Sequence, residues 1–390
     1  MKIPLTYIAR NLKTRRLTTA LTVSGVSLVV FVFAAVLMMA YGVQKTLVST
    51  GSENNILVSR KASNGEISSI LDGGTANIIL AMDQVARTAN GSPMATKDVV
   101  TVINLPKVGL GGMTNLTVRG VSPQAFVIRP MIRLVEGRMF QQGAREIIVG
   151  SAAAKRIEGA QLQSKLKFGG DTWTVVGRFD AGGCGFDSEI WGDVDQLADA
   201  LGRPNAFSTL TFRLQSPNEF EAFKAAFARD NRLQQFEPKP EKKFFEEQSE
   251  TMALFIRVLG MFVTFVFSFG AAIGAMITMY AAVANRTVEI GTLRALGFRR
   301  RNVLAAYLLE SLLIALIGGT VGVILASLLQ FFSISTINFD SFAEIEFSFA
   351  LSPRIIFYAL VFSLIMGLLG GFLPAVRAAR LKIVSALRAE

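Results

Sequence analysis

Hydrophobic and polar positions are spread very unevenly along this chain. Four long stretches hold no charged residue: Leu17 to Gln44, Val258 to Asn285, Ser311 to Phe339 and Ile355 to Val376. A helix rises about 1.5 Å per residue, so about 20 apolar residues cross the hydrocarbon core of a bilayer. All four stretches are long enough. Four such lengths in one chain argue for lipid, not a soluble core, as their solvent. The first follows a basic start and could be read as a signal sequence cut near Ala40. It is much longer than the apolar part of a signal, about 7–15 residues, and is read as a retained helix.

Between the first two stretches the pattern changes to short alternating runs. Asn55–Ser59, Leu116–Arg119, Glu146–Val149, Thr172–Val176 and Thr209–Arg213 predict strands. Phe220, Phe223, Ala226 and Phe227 recur at three and four, as on an amphipathic helix. Glycine-rich turns at 109–112, 169–170 and 182–183 separate the runs. The expectation is an α+β domain in two lobes, the second over about 139–205.

Charge then orients the spans. Residues 1–16 carry Lys2, Arg10, Lys13, Arg15 and Arg16; residues 286–302 carry Arg286, Arg294, Arg299, Arg300 and Arg301; the tail carries Arg377, Arg380, Lys382 and Arg388. Basic residues flanking spans mark the cytoplasmic side. The predicted order is a cytoplasmic amphipathic helix over 1–16, transmembrane helix 1 over 17–44, an extracytoplasmic domain over 45–252 and transmembrane helix 2 over 253–285. A cytoplasmic helix over 286–302, transmembrane helix 3 over 303–333, an extracytoplasmic loop over 334–354, transmembrane helix 4 over 355–376 and a cytoplasmic tail over 377–390 complete it. The fold class is membrane α-helical, with four transmembrane helices, plus a two-lobed α+β extracytoplasmic domain.

The same segments account for the chain's net charge of +11. Away from them the chain is close to neutral, so no basic face remains to bind nucleic acid. The chain has no histidine, which removes imidazole bases, Ser-His-Asp triads and the usual zinc sites. No G-x-x-x-x-G-K-[ST] run occurs, so any ATP and its magnesium must be bound elsewhere. The expectation is a non-enzymatic chain with no metal and no cofactor of its own. The only cysteine, Cys184, cannot form an internal disulfide and reads as a small residue in a turn. Asp180, Asp187, Glu189, Asp193 and Asp195 lack the spacing of a calcium loop and read as solvated turns.

The spans carry further signals. Gly270 and Gly274, Gly318 and Gly322, and Gly367 and Gly371 are each four apart, a spacing that lets helix backbones approach closely. Glu310 lies just inside the third span, where a carboxylate is costly unless it pairs or reaches the interface. It could be a proton or substrate site; the better reading is a structural partner for a nearby arginine. The connection from Asn285 to Arg301 sets Ile290, Leu293, Ala295, Leu296 and Val303 against Arg286, Glu289 and Arg294. This predicts a short amphipathic helix ending at Gly297, with Arg286 and Glu289 paired three residues apart. Such a helix can lie in the membrane surface or dock in a partner's groove.

The run R-T-V-E-I-G-T-L-R-A-L-G from Arg286 to Gly297, followed by Tyr307 to Gly322, resembles the permease signature of the MacB/FtsX/LolC superfamily of ABC transporters, the type VII or mechanotransmission class. Gly371 to Leu387 is similar to that family's last span and tail, and Asn11 to Gly25 to its first helix and span. In the outer domain only fragments resemble it, such as Glu136-Gly137-Arg138 and Ser216 to Phe220. The resemblance implies that 286–302 is a coupling helix gripped by a separate ATPase subunit, with Arg286, Glu289, Ile290, Gly291, Arg294 and Gly297 at the contact. It implies stalks continuing from Leu17–Gln44 and Lys242–Arg257, a location in the bacterial inner membrane, and a second permease copy, identical or paralogous. A periplasmic adaptor, an outer-membrane channel and membrane lipid are further implied partners. Two functions follow as expectations: a permease subunit driving export or extraction of an amphiphile, peptide, lipoprotein or drug, or a membrane sensor relaying ligand binding to a cytoplasmic partner.

Overall fold

The computed structural model describes residues 16–109, 111–338 and 341–381. Of the amphipathic helix expected over 1–16, all but Arg16, and the end of the expected tail, from residue 382, lie outside the described residues. The chain divides into a helical unit (residues up to 41, 254–332 and from 349) and a sheet unit (42–253 and 333–348).

Four helices in the described residues are long and apolar enough to cross a membrane: α1 (Arg16–Val48), a 44-residue helix at Glu241–Ala284, one starting at Arg300, and one at Pro353–Arg380. At 1.5 Å per residue, the 44-residue helix is about 66 Å long, roughly twice what a bilayer core needs. Its residues 241–253 belong to the sheet unit and its residues from Leu254 to the helical unit.

In chain order after α1 come β1 (Asn55–Arg60), β2 (Leu71–Asp72), α2 (Gly73–Leu80), β3 (Ala95–Pro106), β4 (Met113–Val121), α3 (Ala125–Ile128), β5 (Arg133–Gly137) and β6 (Glu146–Gly150). Then follow α4 (Ser151–Arg156), β7 (Lys165–Phe168), β8 (Asp171–Asp180), β9 (Glu189–Asp193), α5 (Val194–Ala200), β10 (Ala206–Phe207), β11 (Thr209–Arg213), α6 (Phe220–Arg229) and β12 (Phe236–Pro240). The rest is α7 (Glu241–Ala284), α8 (Thr287–Ala295), α9 (Arg300–Ser327), β13 (Ser333–Ile337), β14 (Glu344–Ser348) and α10 (Pro353–Arg380).

One ten-stranded mixed sheet organises the sheet unit, in the order β12-β1-β11-β3-β4-β9-β6-β8-β5, with β7 on β8. Only β4/β9 and β6/β8 run parallel along it. The five strands read from the sequence are all present, and α6 buries Phe223 and Phe227 as its spacing predicts. The strands of 139–205 join the same hydrogen-bonded path as the rest, and the core around Ile147, Val149, Trp173 and Ile190 also takes in Leu105 of β3 and Leu116 and Val118 of β4. A second core sets α2 and α6 against β1 and β11 through Ile79, Phe223, Val58 and Phe212. The glycines at 109, 111, 112, 169, 170, 182 and 183 have positive φ, the conformation a turn without side chains can take.

The acidic stretch differs from the sequence reading. Asp187, Glu189 and Asp193 are buried, not solvated. Asp187 accepts hydrogen bonds from the Ala181 and Gly183 amides, and Asp193 caps α5 by accepting from Asp195 and Gln196. The physical reason is that β9 runs through the middle of the sheet and carries Glu189 and Asp193 inside, while the tight turn just before it holds Asp187. The stretch 334–354, expected as a loop, contains the β13–β14 hairpin.

In the helical unit, α1 packs on α9 at glycines. A Cβ at Gly318 would sit 3.0 Å from the Val23 carbonyl, and one at Gly322 would sit 2.7 Å from the Ser27 carbonyl. Gly367 and Gly371 on α10 play the same part against Ala315 and Ser311 of α9. Phe33 of α1 stacks on Phe362 of α10 at 4.5 Å.

Candidate functional site

The sequence singled out the connection between α7 and α9, and there α8 forms. Its C-terminus closes as a Schellman motif: Gly297 takes φ +93°, its amide donates to the Arg294 carbonyl at 3.1 Å, and the Phe298 amide reaches back to Leu293 at 3.2 Å. Only glycine adopts that φ without strain, so the helix stops where the sequence placed its end.

Four anchors seat α8 on the neighbouring helices. Ile290 is buried among Met279 and Val283 of α7, Val303 and Tyr307 of α9, and Ala375 and Ala378 of α10. Gly291 is buried beside it. Arg286, 5% exposed, pairs with Glu310 of α9 at 3.5 Å, and more loosely with Glu289 at 3.8 Å. The Arg294 guanidinium donates to the Ala379 and Leu381 carbonyls at 3.2 and 3.0 Å. These are the orphan acceptors at the end of α10, where a cation is also favoured by the helix dipole. Glu310 therefore has the arginine neighbour that its position in a span calls for. It also borders a cavity among the helices lined by Thr18, Thr22, Thr278 and Ser311.

The six residues of the expected contact thus fall into two groups. Arg286, Ile290, Gly291 and Arg294 are turned into the bundle or bonded to it. Glu289 and Gly297 face outward, together with Val288, Thr292 and Leu296. Among the paired glycines, Gly318, Gly322, Gly367 and Gly371 make helix contacts, whereas a Cβ at Gly270 or Gly274 would meet nothing within 4 Å.

A second cluster, in the sheet unit, was not foreseen. Arg119 of β4 is 1% exposed and donates to Glu189 of β9 at 2.8 Å, Glu66 at 2.7 Å and Asp98 of β3 at 3.2 Å. Arg129, fully buried, lies 2.8 Å from Asp98 and 3.1 Å from Glu241, the first residue of α7. Glu241 also accepts from Asn55 and from the Ser52 amide. Burial works against the charge on Arg119, but Glu189 and Glu66 outweigh it and hold the guanidinium above its usual range. Burial pushes the Glu189 carboxyl up, against the pull of Arg119. The sequence signal was a lone arginine inside the apolar strand Leu116–Val121.

Cys184 is buried, and burial pushes its thiol up to about 12. Among the described residues no group of three or more acidic or cysteine side chains is arranged to hold a metal ion.

A family model described as the MacB-like periplasmic core domain matches residues 19–230, and one described as the FtsX-like permease C-terminal matches residues 261–383. The macrolide export ATP-binding/permease protein MacB of Chromobacterium violaceum is 28% identical over 293 residues, covering 71% of this chain and 44% of that protein. MacB of Escherichia coli K12 is 37% identical over 149 residues, covering 38% of this chain and 21% of that protein. The chain spans less than half the length of these curated relatives. Among solved structures, the periplasmic region of MacB from Actinobacillus actinomycetemcomitans aligns with 53% of this chain and 97% of its own, at 12% identity and a TM-score of 0.38. With one family model over more than half of its residues and a second over most of the remainder, the chain belongs to the MacB/FtsX-like permease family.

Proposed function

We propose that this chain is the permease subunit of an ABC transporter in the bacterial inner membrane. A separate ATPase subunit binds ATP and magnesium, and its cycle is converted into movement of the sheet domain. That movement drives export or extraction of an amphiphile, peptide, lipoprotein or drug at the outer face. The relatives are named for macrolide export, which puts an amphiphile of that kind first among the candidates. Both termini and α8 lie in the cytoplasm, and the sheet domain, taken as two lobes, lies in the periplasm, because the basic residues flank α8 and the chain ends. A second permease copy completes the subunit pair; an adaptor and an outer-membrane channel extend it.

The observation that carries this reading is the seating of α8. Ile290, Arg286 and Arg294 fasten it to α7, α9 and α10, so a push on its outer face is delivered to three helices at once. The outer face left for the ATPase is Val288, Glu289, Thr292 and Leu296, an apolar strip with one acid. This is a helix offered to a groove. Purification of the tagged full chain from membranes, followed by identification of the co-purifying ATPase, tests the assignment. Glu289→Lys reverses the one acidic charge on the face and lowers ATPase recovery about tenfold, the equivalent of roughly 1.4 kcal/mol. Recovery equal to that of the parent protein refutes the assignment.

A further inference from the structure

The β13–β14 hairpin, which joins α9 to α10, belongs to the sheet unit, not to the helices it connects. Its attachments there include polar ones, beside the buried Ala343 and Phe347. The Glu346 amide donates to the Ser188 hydroxyl at 3.0 Å, and the Asn115 side-chain amide donates to the Phe342 carbonyl at 3.0 Å. Lys107 lies 3.7 Å from Glu344. At the centre is Arg156, the last residue of α4. Its Nη2 donates to the Glu344 carbonyl at 3.4 Å. Its Nη1 lies 3.6 Å from the Glu344 carboxylate, and its Nε lies 4.0 Å from that of Glu346.

Those last two distances are long. The Arg156 side chain is 10% exposed, and its Nε and Nη1 atoms are buried without a hydrogen-bond partner. Leaving buried guanidinium protons unmatched is costly, and two carboxylates stand just out of reach. A charge-assisted N–H···O bond closes to about 2.8 Å, so a shift of about 1 Å in the hairpin would convert both loose pairs into bonds. An opposing force acts on the same carboxylate. Glu346 faces Asp180 and Asp187 across a surface pocket that also holds Lys155. Burial, with the charges of Asp180 and Glu346, pushes the Asp187 carboxyl up.

We infer that Arg156, with Glu344 and Glu346, is a two-position latch by which movement of α9 and α10 reaches the sheet domain through the β13–β14 hairpin. Arg156 is a positioning residue, acting through Glu344 and Glu346. The inference rests on the reading of the chain as a transporter permease. It adds a route of force through the hairpin to those of α1 and α7, the two helices that run directly into the sheet unit; α1 itself meets the hairpin where Gly42 lies against Phe347 and Ser348.

The test uses the full chain in detergent or nanodiscs. Arg156→Glu places a third carboxylate beside Glu344 and Glu346; adding Glu346→Arg restores the original balance of two acids and two bases with Lys107. Hydrogen exchange of the β13–β14 amides is expected to speed up at least tenfold in Arg156→Glu and to return to within twofold of the parent in the swapped pair. Unchanged exchange in Arg156→Glu overturns the latch, whatever the ATPase does. The second readout is ATP hydrolysis by the co-purified ATPase, measured with and without an added macrolide, the amphiphile class for which the relatives are named. Arg156→Glu is expected to keep basal hydrolysis but lose most of the substrate stimulation, and the swapped pair to regain it. Faster exchange with unaltered stimulation overturns the transmission role. Should Arg156→Glu fail to fold, Arg156→Lys, which keeps the charge but not the fork, carries the same comparison with an intermediate loss. Failure of the parent chain to bind any ATPase counts against the proposed function instead, and leaves the exchange result to decide the latch.

Discussion

Replacing Arg119 by methionine removes one guanidinium from beneath three carboxylates. The side chain makes five charge-assisted hydrogen bonds, two to Glu66, two to Glu189 and one to Asp98, and all three acids are less than 9% exposed. Methionine fills similar volume, so the cost comes from the stranded carboxylates more than from a cavity. Breaking a buried pair by removing one partner costs about 3–5 kcal/mol. For a domain of this size that lowers the melting temperature by roughly 6–20 °C. The assay follows from the sequence: both tryptophans of the chain, Trp173 and Trp191, are buried in the sheet domain, and the Trp191 indole donates to Glu189 at 2.7 Å. Tryptophan fluorescence during heating therefore reports on this domain alone. The pH dependence has a definite sign. Burial holds the Glu189 carboxyl above its ordinary value even against the pull of Arg119, and removing Arg119 lifts it further. A raised pKa gives stability that is present below the unfolded value and lost as pH rises through the folded one. The variant should recover part of its deficit between pH 8 and pH 5, and adding Glu189→Gln should shrink that recovery. A melting temperature within 2 °C of the parent at pH 8 would refute the account of the network.

Three further outcomes are expected. Gly322→Leu forces a side chain against the Ser27 carbonyl and Val30 of α1, overpacking worth about 1–3 kcal/mol, and lowers the temperature at which the solubilised protein loses its size-exclusion peak. Gly274→Ala, which meets nothing within 4 Å, leaves that temperature unchanged, and equal behaviour of the two variants contradicts the α1–α9 packing. Arg286→Ala takes the guanidinium neighbour from the buried Glu310 carboxylate and costs about 3–5 kcal/mol by the same assay; Glu310→Gln in the same chain restores most of it. Cys184, buried and with its thiol pushed up to about 12, reacts with a maleimide at pH 8 about a thousandfold more slowly in the folded protein than in urea. Prompt labelling of the folded chain contradicts the packing of the segment that follows β8.

How much was legible depended on how local the signal was. The end of α8 at Gly297 was readable because a C-terminal glycine acts through its own φ, and the strands at Glu146–Val149 and Thr209–Arg213 because alternation is a property of neighbours. That Glu310 pairs with a nearby arginine was readable because a carboxylate in a span has few alternatives; that the arginine is Arg286, which its spacing sets beside Glu289, was not. The Arg119 cluster was not. Its members come from residues 66, 98, 119 and 189, and nothing along the chain records that β4 lies between β3 and β9.

The sequence by itself determined the four charge-free stretches, the basic flanks, the α+β text between the first two, and a resemblance strong enough to name a family. These follow from hydrophobicity, charge and spacing, which act over a few turns of chain. Only the tertiary structure decided which way each side chain of α8 faces, so that Arg286 and Arg294 brace neighbouring helices while Glu289 faces outward. It alone turned Asp187 and Glu189 from loop acids into buried ones, and it alone docked the β13–β14 hairpin on the sheet domain through Arg156. Each of these depends on contacts between residues dozens to hundreds of positions apart, and such contacts exist only once the strands have paired and the helices have packed.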